Sequence, residues 1–88
     1  MSTREFLSDE FNDVIIDVVH YNNFRSTDFS SANLKNTKFI FSDLSETNFS
    51  NADLTNSNFV SAYMKNANLD GAILEGANLN CINHEICD

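Results

Sequence analysis

The residues with the most chemical potential sit together near the end of the sequence. Cys81, His84 and Cys87 form a C-x2-H-x2-C cluster, three candidate soft ligands. Structural zinc needs four such donors and no fourth adjoins them, so no metal is expected, with zinc shared between two copies as the alternative. The two thiols could bridge or stay reduced. The start "MSTREFLSDEF" lacks the basic-then-apolar layout of a secretory signal, so a cytoplasmic address and reduced thiols are expected. His20 is the other histidine, and serines are plentiful. Yet there is no G-x-S-x-G, no phosphate-binding glycine loop and no H-E-x-x-H. No enzymatic activity, cofactor or small-molecule substrate is expected.

Charge narrows the partners. Thirteen acidic against five basic residues give a net charge of −8 over 88 residues, which disfavours nucleic-acid phosphate and anionic membrane surfaces. No apolar run is long enough for a membrane span. The absence of proline and the presence of only two glycines remove the usual punctuation of a loop-rich domain.

What would position any functional residue is a five-residue beat. Residues 22–81 divide into NNFRS, TDFSS, ANLKN, TKFIF, SDLSE, TNFSN, ADLTN, SNFVS, AYMKN, ANLDG, AILEG and ANLNC. The third position is Phe24, Phe29, Leu34, Phe39, Leu44, Phe49, Leu54, Phe59, Met64, Leu69, Leu74 and Leu79, without exception apolar. The first is Ala, Ser or Thr in eleven of twelve units, and the second is Asn or Asp in nine. A period of five matches neither a helix nor a simple strand. It fits one short extended side plus a corner, with four corners closing a square coil of twenty residues whose units bury their apolar face only by stacking. The third residue and the small first residue then share the inward parity, as a narrow, dense interior demands. The corner falls at the fifth position, where Asn36, Asn51, Asn56, Asn66, Gly71 and Gly76 tolerate unusual backbone angles. Asn and Asp at the second position can bond nearby backbone.

These units resemble the pentapeptide-repeat proteins, whose motif is written A(D/N)LXX. "ANLKN", "ADLTN", "ANLDG" and "ANLNC" fit every specified position, and "TDFSS", "SDLSE", "TNFSN" and "SNFVS" are common variants. The resemblance covers residues 22–81 and implies an all-β fold, a right-handed quadrilateral parallel β-helix, here of about three coils. It also implies a bacterial origin. Residues twenty apart should stack, giving columns Phe24, Leu44, Met64; Phe29, Phe49, Leu69; Leu34, Leu54, Leu74; and Phe39, Phe59, Leu79.

Both ends of such a stack expose apolar core and unpaired backbone. Over residues 1–21, Phe11, Val14, Ile15, Val18 and Val19 at helical spacing predict an N-terminal capping helix, with Ser8 as its N-cap. A rival reading takes Val14 and Val19 as in phase with the repeat, which would place Asp17 in the core. At the other end, residues 82–88 begin a poor thirteenth unit with Ile82 in the small column and His84 at the centre. The tail looks scant for a cap, so the last coil is expected to be covered by a second copy, end to end, as a homodimer.

Outward positions Ile40, Phe41 and Val60 break the polar rule, and Tyr63 replaces Asn or Asp beside them. Together they are the candidate interaction patch. The expected role is a non-enzymatic scaffold for protein–protein interaction or self-association, its partner unnamed. The resemblance implies an alternative, since some pentapeptide-repeat proteins imitate DNA, bind DNA gyrase and protect against quinolones. Here residues 22–81 carry a net of only −2 and residues 1–21 a net of −4. Three coils span about 10 to 15 Å, so a single copy would match only about four base pairs of a duplex, and the charge is badly placed for that role.

Overall fold

The computed structural model describes residues 22–88. The expected cap over residues 1–21 lies outside the described residues. Within them the chain is a β-helix solenoid built on a single repeated pattern of backbone bonds, with no helix and no pairing wider than one residue per side.

The pattern follows from the residue type at each position of the unit. The second residue forms a parallel bridge to the residue twenty places on, as in Asn23 to Asp43 to Tyr63 and Asn33 to Asp53 to Ile73. Flanking it, third-position and fifth-position amides donate to carbonyls nineteen residues ahead, for example Leu34 to Asp53 and Asn36 to Thr55, both at 2.9 Å. The amide of the second residue donates backwards, as Asp53 does to Ala32 at 3.0 Å. Residues 22–41, 42–61 and 62–81 thus lie as successive tiers in parallel register.

Each corner is a β-turn closed by the next unit's first amide on the third-position carbonyl, such as Ser57 to Leu54 at 3.0 Å. The residue before the closing amide must then carry a positive φ, as type II geometry requires. All fifth positions from Ser26 to Gly76 do so, at 58° to 75°. Asn is at home there, whereas Phe41 and Glu46 carry a strain that asparagine or glycine avoids. A β-carbon on Gly71 would run into Oδ1 of Asn51, the corner residue above it, so a larger residue there would have to displace that side chain as well as take the positive φ.

The approach to each corner is fixed by the second residue. In all nine units with Asn or Asp there, Oδ1 accepts the amide two residues on, from Asn23 with Arg25 to Asn78 with Asn80. This Asx geometry satisfies a turn amide that has no place in the ladder.

Inside, the third-position side chains fill the bore. Phe29 stacks on Phe49 and Phe39 on Phe59, with centroids 5.4 and 5.3 Å apart. Across the bore Phe39 meets Phe29 and Phe49 edge-on, both at 5.8 Å. Every third-position residue from Phe29 to Met64 is fully buried. Each such side chain removed from water contributes about 1.5 to 3 kcal/mol. The small column also holds hydroxyls. Thr47 Oγ1 donates to Phe24 O and Ser57 Oγ to Leu54 O, at 2.8 and 2.7 Å, whereas Thr37 Oγ1 and Ser42 Oγ are buried without a partner among the described residues.

Candidate interaction surfaces

Burial changes sharply along the stack. Leu34 and Leu54 are fully buried, while their column partner Leu74 is partly exposed, as are Leu69, Leu79, Ala72 and Ala77 in the last tier. The backbone of that tier is open too. The carbonyls of Ala72 and Ala77 and the amides of Leu69, Leu74 and Gly76 have no hydrogen-bond partner among the described residues. Their counterparts one tier earlier are all engaged, as with Ala52 O receiving Ile73 N and Leu54 N reaching Ile73 O.

The tail covers part of this end in a way its sequence did not announce. Ile82, expected in the inward small column, instead pairs with Tyr63, nineteen residues earlier, and its side chain is exposed. The register shifts because Cys81 N turns back to Leu79 O at 2.8 Å, which replaces the regular corner. The chain then crosses the end, placing Ile86 and Cys87 against the core. His84, expected at the centre of a thirteenth unit, lies with Nε2 3.0 Å from Ala67 O. Its Nδ1 accepts the Ile86 amide, so Nε2 carries the hydrogen and donates to Ala67 O in the manner of a ladder amide. Scant as it is, the tail is therefore a partial cap.

It also corrects the expectation of reduced thiols. The crossing returns Cys87 to Cys81, Cα atoms 4.9 Å apart, and the two are joined as a disulfide. Bridging takes both sulfurs out of the C-x2-H-x2-C ligand set, and the remaining donor, His84, is engaged on both nitrogens. Among the described residues no group of three His, Cys, Asp or Glu side chains could hold a metal ion.

The four patch residues straddle one corner. Phe41 N donates to Val60 O and Tyr63 N to Ser42 O, so the backbone brings them together. Phe41 and Tyr63 are exposed, whereas Ile40 and Val60 are half-buried. Ile82, paired with Tyr63, extends the apolar surface by one residue. Ile73 is exposed on a different side.

Charge is distributed unevenly. Arg25 pairs with Asp43 at 3.7 Å and Lys35 with Asp53 at 3.9 Å, each across tiers. After Lys65 there is no lysine or arginine, and the last tier and the tail carry Asp70, Glu75, Glu85 and Asp88, all exposed. The Thr55 hydroxyl, with help from its amide and from Lys35, holds the Asp53 carboxyl below the usual carboxylate range. Ser30 does the same for Asp28.

Residues 42–80 match the family model of pentapeptide repeats in eight copies, so this part of the chain is built of pentapeptide repeats. Two solved structures are similar. One is a pentapeptide repeat protein, Rfr23, from the cyanobacterium Cyanothece 51142, at 22% identity over 72% of this chain and 58% of that one, with a TM-score of 0.39. The other is HetL, a pentapeptide repeat protein involved in heterocyst differentiation regulation from the cyanobacterium Nostoc sp. strain PCC 7120, at 24% identity over 75% of this chain and 40% of that one, TM-score 0.31. This chain therefore spans 58% and 40% of the lengths of these proteins. No curated protein matches it in sequence. No helix among the described residues is long and apolar enough to cross a membrane.

Proposed function

We propose that this chain is a non-enzymatic protein-binding scaffold, a right-handed quadrilateral β-helix of about three coils that engages its partner at the open end of the last coil. The observation that carries this reading is the contrast within one column, Leu34 and Leu54 buried but Leu74 partly exposed beside backbone groups without a partner among the described residues. Repeat proteins cover such ends with caps or partners. The bore is packed with phenylalanine, and the concavity of about 490 Å³ at the open end, lined by residues 67–70 and 84–86, contains no Ser, Thr or Cys nucleophile and has its His84 bonded through both nitrogens. The Ile40, Phe41, Val60 and Tyr63 corner is the second surface the scaffold offers.

Two other roles have less support. Self-association through the last coil would use the same edge, but it would bring together two ends that both carry Asp70, Glu75, Glu85 and Asp88 and no lysine or arginine. Imitation of DNA would need carboxylates stacked as a phosphate rail. Among the described residues no carboxylate lies twenty residues from another, and Asp43 and Asp53 are paired with bases.

Affinity purification with three baits tests the reading: wild type, Leu74→Lys, and Ile40→Lys with Val60→Lys. A partner lost only with Leu74→Lys supports the open end. One lost only with the double variant moves the function to the patch, and one retained by both contradicts the proposal.

A further inference from the structure

We infer that the edge at residues 72–77 is a strand-addition site for an extended basic segment of another protein, which enters in the register of one further pentapeptide. This rests on the scaffold reading and names the partner class for its open end.

The backbone geometry for such a segment is already displayed one tier up. On this side Ala52 O receives Ile73 N, Leu54 N reaches Ile73 O and Asn56 N reaches Glu75 O, at 2.8 to 2.9 Å. Ala72 O, Leu74 N and Gly76 N are the same three groups on the last tier, and they have no partner among the described residues. The turn bond from Ala77 N to Leu74 O, 3.0 Å, holds them in place before any partner arrives. Pre-organised donors and acceptors cut the ordering cost of binding, which is how sheet edges capture extended peptides. The tail's bonds go elsewhere, Ile82 to Met64 and Ala62, His84 to Ala67 and Asp88 to Leu79, so among the described residues this side stays open.

Side chains then select the segment. Its inward residue would land on partly exposed Leu74, near Leu79, and should be Leu-sized and apolar. The residue two before it would sit beside Ala72 in the narrow column and should be small. Between them lies an outward position whose charge partner can be read from this same side. There Lys35, a fourth-position residue, lies 3.9 Å from Asp53, the second-position residue of the next tier. Glu75 occupies Lys35's place two tiers on, with the sign reversed. A Lys or Arg at the segment's second position would therefore meet Glu75. Asp70, Glu85 and Asp88 on the last tier and the tail favour the same sign. The selected pattern is small, basic, apolar. A second copy does not fit it, because its own open edge brings carboxylates to carboxylates.

The test uses the full 88-residue chain, nitrogen-15 labelled, and two blocked decapeptides, AKLTNAKLTN and its acidic twin ADLTNADLTN. The basic peptide is expected to shift the amide signals of Leu74, Glu75 and Gly76 saturably and to slow exchange at Leu74 and Gly76 by about tenfold or more. The acidic twin should bind at least about tenfold more weakly, and Glu75→Lys should reverse the preference. Equal binding of both peptides, shifts confined to the Ile40 and Val60 side, or no shift at millimolar peptide would overturn the inference. If Leu74 and Gly76 become protected with rising protein concentration alone, and sedimentation gives a dimer mass, a second copy takes the edge. The strand-addition inference then fails while the open-end reading stands. Loss of that reading shows separately, as a natural partner still bound by Leu74→Lys.

Discussion

Phe59 lies directly under Phe39, ring planes within 13° of parallel and centroids 5.3 Å apart, twenty residues later in the chain. Phe49 fits edge-on between them across the bore, 5.8 Å from each. The stack of one column is thus locked by the stack opposite, and both are fully buried.

Truncation of this lock should be costly. Phe59→Ala is expected to destabilise the chain by about 3 to 5 kcal/mol, and Phe59→Leu by less than half of that, because leucine already serves the same column at Leu79. Urea unfolding followed by circular dichroism gives the comparison. Equal losses for the two variants would mean that the bore is not packed as described.

Ser42 tests the opposite sign. Its hydroxyl is buried without a partner among the described residues, in a position of the repeat where alanine is common. Ser42→Ala should stabilise by up to about 1 kcal/mol, since it removes an unsatisfied polar group at little cost in volume. A raised urea midpoint with unchanged slope is the expected result.

The corners give a coupled prediction. Gly71→Ala combines a positive φ with a clash against Asn51 Oδ1, and should cost about 1 to 2 kcal/mol. Asn51→Gly removes the clash and leaves the φ, so the double variant should recover part of the loss. A double-mutant cycle by thermal unfolding measures that recovery.

Acid should weaken the fold through Asp28 and Asp53. Both carboxyls are held below their ordinary range by bonds that the folded turn fixes in place, to Ser30 and Thr55. A lowered folded value means the contribution is present above the unfolded value and is lost as pH falls through the folded one, below about pH 4. The urea midpoint should fall between pH 5 and pH 3, and fall less in Asp53→Asn. An identical fall would remove Asp53 from the account.

The solenoid was legible because its determinants are local and repeated. One five-residue unit contains the inward side chain, the Asx residue that sets the turn and the residue that takes positive φ, and all recur in register. The column partners Phe29 with Phe49 and Phe39 with Phe59 follow from counting alone. The tail was not legible for the complementary reason. Its register shift at Ile82, the His84 bond to Ala67 and the Cys81 to Cys87 bridge each occur once, and none has a period to betray it. The reduced state was expected for Cys81 and Cys87 from the look of the N-terminal sequence, which carries no information on how the tail turns. The patch was half legible: counting brought Ile40, Val60 and Phe41 together, but the addition of Ile82 depended on the shift.

The open end is the claim on which the functional account turns, and amide hydrogen exchange of the free chain at low concentration tests it most directly. Leu34 and Leu54 donate to the tier below, at 2.9 and 2.8 Å, whereas Leu74 in the same column has no acceptor among the described residues. The account predicts slow exchange at Leu34 and Leu54 and exchange at Leu74 and Gly76 faster by about a hundredfold or more. Protection of Leu74 equal to that of Leu54 in the monomer would contradict it.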